Sequence, residues 1–513
     1  MKAFLPNTLL WRRLALAAVV TLLALSVYFL NGVALFYFDT AGYLKQGYSI
    51  LQSLGVGRES LDIAGQVAGE ASSSDHTVIA SRSAAYGLLV AVFNYLGVLD
   101  GAVVLNLCLI WLSTLITARQ LVHDGNGGRR AFNVAAAGMI AASGAALPFY
   151  VALLMPDILA PILILMLATL CTSAQRMGRI DLLLSVGLAV IAIVTHPSHL
   201  VMAALILPAG LLLSPAMAGR RLWLSLALAV LLVGVGVAER LAFSLVVERL
   251  QQKQALYLPF LTARLIDDGP ALTYLHAHCP DATITTCKLY DALSESSHPE
   301  RLDAPNILFA TSPELGSYKH LSESDQQAVA GQQFEFIFSV IKAAPFSTFA
   351  ALAGNVATQL RYYRIDMTIP RSGRLEGLRS DYGPIISQLR EGRLVTANRS
   401  WMEPLAYVHG AIYILSGMVL MLFLLLGGLP PANRALTVLV FYGILVNALV
   451  CGGVSEPAYR YGARVMFLLP MLAAMLWAAQ RIQGRIKEGD WASAPSASNH
   501  SYSARSDAPA RKK

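Results

Sequence analysis

Charge is what this chain has least of. Of its 513 residues only 14% are Asp, Glu, Lys or Arg, while 56% are hydrophobic; soluble domains carry about 25% charge. With a mean hydropathy of +0.55, that deficit excludes an ordinary soluble enzyme and leaves an integral membrane protein. Cysteine is scarce too. Five cysteines in a chain of this length exclude a fold held together by a disulfide framework. Cys108, Cys171 and Cys451 fall in or beside apolar runs, where a thiol behaves as a small apolar group. Cys279 and Cys287 sit eight residues apart in a polar region, and an oxidising compartment would pair them. A metal site there would need further ligands. The halves of the chain show no internal repeat of the kind many transporters carry.

What is present is a series of apolar runs separated by basic clusters. The net charge of +8 does not call for nucleic acid, because Lys and Arg gather at the ends of these runs, as topogenic charges do. Arg12-Arg13 precede a run too long for a cleaved signal peptide, which reads as a retained anchor. Ten spans are expected, at about 14–36, 101–118, 131–153, 158–175, 182–195, 199–215, 222–243, 405–428, 435–452 and 463–480. Residues 84–98 are apolar but too short to cross a bilayer, and are assigned to an interfacial helix. Counting them as a span would put every later arginine cluster on the wrong side. The fold class expected is therefore an all-α polytopic membrane protein with both termini inside.

Four regions follow. Residues 1–243 form a seven-span module with a first outer loop at 37–100, which holds a Tyr-rich helix and a polar tip, Ser72-Ser73-Ser74-Asp75-His76. Residues 244–404 form an outer domain, mainly helical or mixed α/β. Residues 405–482 supply three closing spans, and 483–513, rich in Ser, Ala, Lys and Arg, form a disordered tail.

The ionisable residues at span ends concentrate on the outer side. Asp39 follows the first span and Asp157 lies at the turn before the fourth. Each is either a helix N-cap or a functional carboxylate at membrane depth. His196 and His199 flank Pro197 at the next outer turn, a hydrogen-bonded turn or, less economically, a metal pair. Glu456, Arg460 and Arg464 occupy the last outer turn beside Tyr459 and Tyr461, and Arg82 precedes the interfacial segment. Guanidinium groups suit phosphate, gripping two oxygens at once. The carboxylates then need another task, such as taking a proton from an acceptor hydroxyl or amine.

Phe38-Asp39-Thr40 through Tyr43, Arg82 with Tyr86 and Gly97, Asp157 opening a span, and Tyr459-Arg460-Tyr461 late in the chain together resemble the GT-C superfamily of membrane glycosyltransferases. The branch resembled contains protein O-mannosyltransferases and lipid A aminoarabinose transferases. The resemblance implies a GT-C-like fold in a bacterial inner membrane, with a periplasmic active site. It implies transfer of a sugar from a polyprenyl-phosphate donor to an envelope glycan, lipid or protein. Asp39 would be the base and Asp157 would position the acceptor. Arg82, Arg460, Arg464, His196 and His199 would attend the donor phosphate, and Tyr43, Tyr86, Tyr459, Tyr461 and Glu456 would line the pocket. The first outer loop has a single Asp where relatives have an acidic pair. No cofactor is expected on that account, and a divalent metal stays an open alternative. Two rival readings remain: a transporter or flippase for a lipid-linked sugar, and a non-catalytic envelope-assembly protein that works through residues 244–404.

Overall fold

The computed structural model describes residues 8–56, 77–80, 82–122, 127–213 and 220–493. The polar tip of the first outer loop and residues 494–513 of the expected tail lie outside them. The described residues are mainly helical. Two three-residue strands, β1 (Thr77–Ile79) and β2 (Gln254–Leu256), pair in parallel. Six helical stretches are long and apolar enough to cross a membrane: Gly101–Val122, Pro156–Ser173, Leu222–Arg249, Arg399–Leu425, Pro431–Gly453 and Tyr459–Gln483. The protein is an all-α, polytopic membrane protein. The other four expected spans fall on shorter or interrupted helices.

The first of these is interrupted for a reason that matters. Helix α1 (Thr8–Ala24) gives way at Leu25 to α2 (Ser26–Asn31), which Gly32 ends in the left-handed conformation at φ 82°. The chain then runs extended, and Leu35 pairs in parallel with Leu153. Its N–H donates to the Ala152 carbonyl at 2.8 Å, and its carbonyl accepts from Leu154 N–H at 2.8 Å. The expected span at 14–36 thus ends five residues early, because its last stretch serves as a strand beside 152–154. Helix α3 (Phe38–Ser53) follows and packs closely on α4 (Ala84–Tyr95). At about 1.5 Å per residue, α4 reaches only about 18 Å, short of the roughly 30 Å hydrocarbon core.

The bundle is built from α5 (Gly101–Val122), α6 (Gly127–Ser143), α7 (Leu147–Ala152), α8 (Leu159–Ser173), α9 (Arg179–Val194), α10 (Pro197–Leu213) and α11 (Arg220–Gln251). The expected span at 131–153 is split between α6 and α7 at a break around Gly144. Helix α8 is entirely buried, which places it at the centre of the bundle. The Thr117 and Thr169 hydroxyls, 3.0 Å apart, join it to α5. Such a polar contact between apolar helices holds register where hydrophobic packing alone discriminates poorly.

The 244–404 stretch is built in two parts. Helices α12 (Phe260–Asp267), α13 (Pro270–His278), α14 (Cys287–Glu295), α15 (Ala304–Phe309) and much of α16 (Glu323–Ala343) share their own apolar core around Leu265, Leu289, Ile307 and Val340. Cys279 and Cys287 are joined within this part by a disulfide with S–S 2.03 Å. After α17 (Pro345–Arg361), residues from Ile365 to Val395 pack instead on the core of the bundle; they include α18 (Arg374–Tyr382) and α19 (Arg393–Thr396). The closing helices are α20 (Met402–Leu425), α21 (Pro431–Asn447, extended by a π turn over Ala448–Gly453), α22 (Tyr459–Met466) and α23 (Leu468–Ser493). Helix α23 continues past residue 482, where the tail was expected to begin.

Candidate active site

Four segments distant in sequence meet at one end of the bundle, and backbone pairing brings the first two together. Thr40 accepts the Tyr37 N–H at 2.9 Å and donates to the Leu154 carbonyl at 3.1 Å. With the Leu35–Leu153 bridge, this fastens the start of α3 to the turn that carries Asp157. Asp39 is the second residue of α3, one turn position past the N-cap, Tyr37. Asp157 sits inside a short 3-10 turn, Pro156–Ile158. Neither carboxylate caps a helix in the way an N-cap would, so both are free for ion pairs.

Three arginines fill the space around them. Arg82 Nη2 lies 2.8 Å from Asp39 Oδ1, and Arg460 Nη1 lies 3.3 Å from Asp39 Oδ2. Arg460 also reaches Asp157 through Nε at 3.6 Å, and Arg464 Nη1 stands 3.2 Å from the same Asp157 oxygen. Arg460 thus links two acids that are 118 residues apart in sequence. It is sandwiched between aromatic rings, with its guanidinium carbon 4.3 Å from the Tyr37 centroid and 4.8 Å from that of Tyr461. Its carbonyl accepts from the buried Tyr150 hydroxyl at 2.6 Å. Arg464 is fully buried and donates to Asn447 Oδ1 through Nε and Nη2, at 3.2 and 2.9 Å.

Three guanidinium groups against two carboxylates leave the cluster one positive charge in surplus. Arg82 Nε and Arg460 Nε are buried N–H donors without a hydrogen-bond acceptor. Such orphaned donors are uncommon in folded proteins and tend to have a function behind them. Burial alone would raise the Asp39 carboxyl, but the charges of Arg82 and Arg460 outweigh it and hold its pKa below the usual carboxylate range. Asp39 is ionised at neutral pH, and its side chain is 21% exposed against 3% for Asp157. It is the more accessible of the two carboxylates.

Beside the cluster opens a cavity of about 680 Å³, lined by Tyr37, Phe38, the 366–374 segment and Arg399. Arg371, Arg374 and Arg399 give it a cationic wall, and Arg374 lies 5.9 Å over the Phe38 ring. Tyr37 is shared, one face on Arg460 and an edge in the cavity.

The other expected residues divide. Tyr43 and Tyr86 are buried and meet edge-to-face at 5.1 Å, packing α3 on α4 behind Asp39 rather than lining the cavity. His196 and His199 lie with ring centroids 5.1 Å apart. His196 Nδ1 is 2.7 Å from Ser198 Oγ, and His199 Nδ1 is 2.7 Å from the Ala192 carbonyl. Burial, the neighbouring His199 and the charges of Arg464 and Arg460 push the His196 pKa well down, so it is a neutral ring at neutral pH. Tyr461 is in the cluster, whereas Tyr459 turns away to stack on Tyr362 at 4.3 Å. Glu456 makes no ion pair among the described residues; burial raises its pKa, and Asp267 and Asp303 add to the effect against Arg264. Among the described residues no group of three or more His, Cys, Asp or Glu side chains is placed to hold a metal ion.

Tyr37, Tyr150, Asn447 and the three cavity arginines are additions that sequence reasoning missed. Tyr37 was the most accessible to it, as an aromatic two residues before the key acid. No protein family, curated protein or solved structure matches the chain.

Proposed function

We propose that this protein is a membrane glycosyltransferase of the GT-C type, moving a sugar from a polyprenyl-phosphate donor to an envelope glycan, lipid or protein. The observation that carries the reading is Arg460 reaching both Asp39 and Asp157 at one end of the bundle. The working topology is ten spans in a bacterial inner membrane, with the cluster and residues 244–404 on the periplasmic side.

Asp39 takes the proton from the acceptor hydroxyl or amine as its oxygen or nitrogen forms the new bond to the anomeric carbon. The bond from that carbon to the phosphate oxygen breaks, and its electron pair leaves with the polyprenyl phosphate. Arg82, whose Nε–H has no acceptor, and Arg460, whose Nε–H has only the long contact to Asp157, meet the charge that develops on the departing phosphate. In the resting protein these arginines also depress the basicity of Asp39. A phosphate that draws on their donors lets the carboxylate's affinity for a proton rise, so base strength is coupled to donor binding. Asp157, nearly dry, keeps Arg460 and Arg464 in place.

The test uses the purified protein in nanodiscs, with a polyprenyl-phosphate donor labelled in the sugar and an envelope extract as acceptor. Transfer of label is expected, with release of polyprenyl phosphate. No transfer from any such donor, together with movement of intact donor across vesicle membranes, would establish the transporter reading instead.

A further inference from the structure

Helices α16 and α17 meet at a bend of 111° around Ala344 and together are apolar enough to pass as one broken membrane segment. Around the bend, their exposed residues are dominated by large apolar side chains, with Glu335 and Lys342 beside them. Phe346 is 91% exposed and Phe349 61%, just past the bend. Further along the same face of α17 the exposed positions are Ala353, Ala357 and Leu360, the i, i+3, i+4, i+7 spacing of one helical stripe. On α16, Phe334 and Phe338 are 77% and 58% exposed, one turn apart.

The polar groups of α17 point the other way or close on themselves. Ser347 and Thr348 donate to the Ala344 carbonyl, at 3.2 and 2.8 Å, and Thr358 to the Gly354 carbonyl at 3.0 Å. Asn355 donates to Asp268 at 2.6 Å. Gln359, 1% exposed, both donates to the Ala458 carbonyl at 2.9 Å and accepts its N–H at 2.8 Å. Apart from Ser347 and the exposed Arg361 that ends it, the helix is therefore inverted: polar toward the protein, apolar toward the outside, as in a surface solvated by lipid. Its face is continuous with the lipid-exposed side of a span. Val356 packs on Gly453 at the end of the π turn, and Leu445 and Leu449 of the same stretch are 44% and 39% exposed. Lys342 lies with Nζ 4.5 Å over the Phe338 ring at the edge of the patch, the posture of a cation reaching toward headgroups from an apolar stem.

We infer that the α16–α17 hairpin is a membrane-binding element that seats Phe334, Phe338, Phe346 and Phe349 in the acyl region of the leaflet nearest the Asp39 cluster. The hairpin is tied to the cluster. Gln359 grips Ala458, two residues before Arg460, and Tyr362 stacks on Tyr459. Lipid that holds the hairpin also steadies the turn that presents Arg460. The inference does not depend on glycosyl transfer and holds for any chemistry at the cluster.

The test is a depth measurement on the full chain in phosphatidylethanolamine–phosphatidylglycerol vesicles. A nitroxide is placed at Phe346→Cys or Phe349→Cys in a Cys108→Ser background, with Ser324→Cys as a solvent-exposed control. For both Phe positions, collision with oxygen is expected to exceed collision with a water-soluble nickel chelate several-fold, and Ser324→Cys should show the reverse. Nickel collision at Phe346→Cys equal to that of the control would overturn the inference, placing the hairpin in water. Low collision with both reagents would overturn it as well, since the face would then be covered by protein, such as a second copy. Both positions are exposed, so neither label disturbs the packing of the helix.

Discussion

Arg460 touches both acids and two aromatic rings, yet the two acids play unequal parts. Asp39 is partly open and Asp157 is closed off, so removing each should read out differently. Asp39→Asn should lower transfer by about 10²-fold or more, the scale of a lost general base, with only the modest loss of thermal stability at neutral pH that a part-exposed ion pair supports. Arg464→Met leaves the buried Asp157 carboxylate with one fewer partner. Loss of one member of a buried pair costs about 3–5 kcal/mol, and thermal unfolding in detergent should fall accordingly. pH gives a third check. Arg82 and Arg460 hold the Asp39 carboxyl below its ordinary value. Its contribution to stability is therefore fully present above the unfolded-state pKa of about 4. It is lost as pH falls through the lower folded value. A pH series of unfolding temperatures should show this acid loss in the wild type and less of it in Asp39→Asn. An identical acid limb in both would contradict the pairing.

At the scale of elements, α3 and α4 act as the frame that sets Arg82 on Asp39, and two glycines show how. A Cβ on Gly47 would stand 2.0 Å from the Gly87 carbonyl oxygen, so the helices must part. A Cβ on Gly42 would stand 2.6 Å from the Arg82 guanidinium carbon, the mobile end of a long side chain. Gly47→Ala should therefore destabilise the protein by about 1–3 kcal/mol, the range of an overpacked contact. Gly42→Ala should leave unfolding nearly unchanged while transfer falls, because Arg82 must swing off Asp39. Hydropathy made the helices legible: α5, α8, α11, α20, α21 and α23 lie where the apolar runs and their flanking arginines put them. It could not show that 33–37 is extended, because Leu35 and Phe36 are as apolar as any helical pair. Only a partner 118 residues away makes them a strand.

Across the whole molecule, the gathering of charge at one end of the bundle was legible as a pattern of outer turns: Asp39, Asp157, Arg82, Arg460 and Arg464 do converge. Tyr459 was read by proximity in sequence and turns elsewhere, since one residue of helix rotates a side chain by about 100°; Glu456 precedes α22 and lies outside the helix. The cavity arginines escaped notice because 366–399 looked like ordinary polar chain, and its packing on the bundle rather than on the smaller core depends on tertiary contacts alone. The separation of the two cores carries its own consequence. The Cys279–Cys287 disulfide lies in the smaller core, so its reduction should loosen 256–340, seen as faster hydrogen exchange there. Exchange around 35–44 and 157–160 should not change.

Asp39 is proposed as the base in sugar transfer to the cell envelope. The most direct test of that role is mass spectrometry of envelope glycans and lipids from cells without the protein, restored either with the wild type or with Asp39→Asn at equal membrane level. A mass increase of one sugar unit on an envelope component is expected with the wild type alone. The same increase with Asp39→Asn, or its absence with both, would contradict that role.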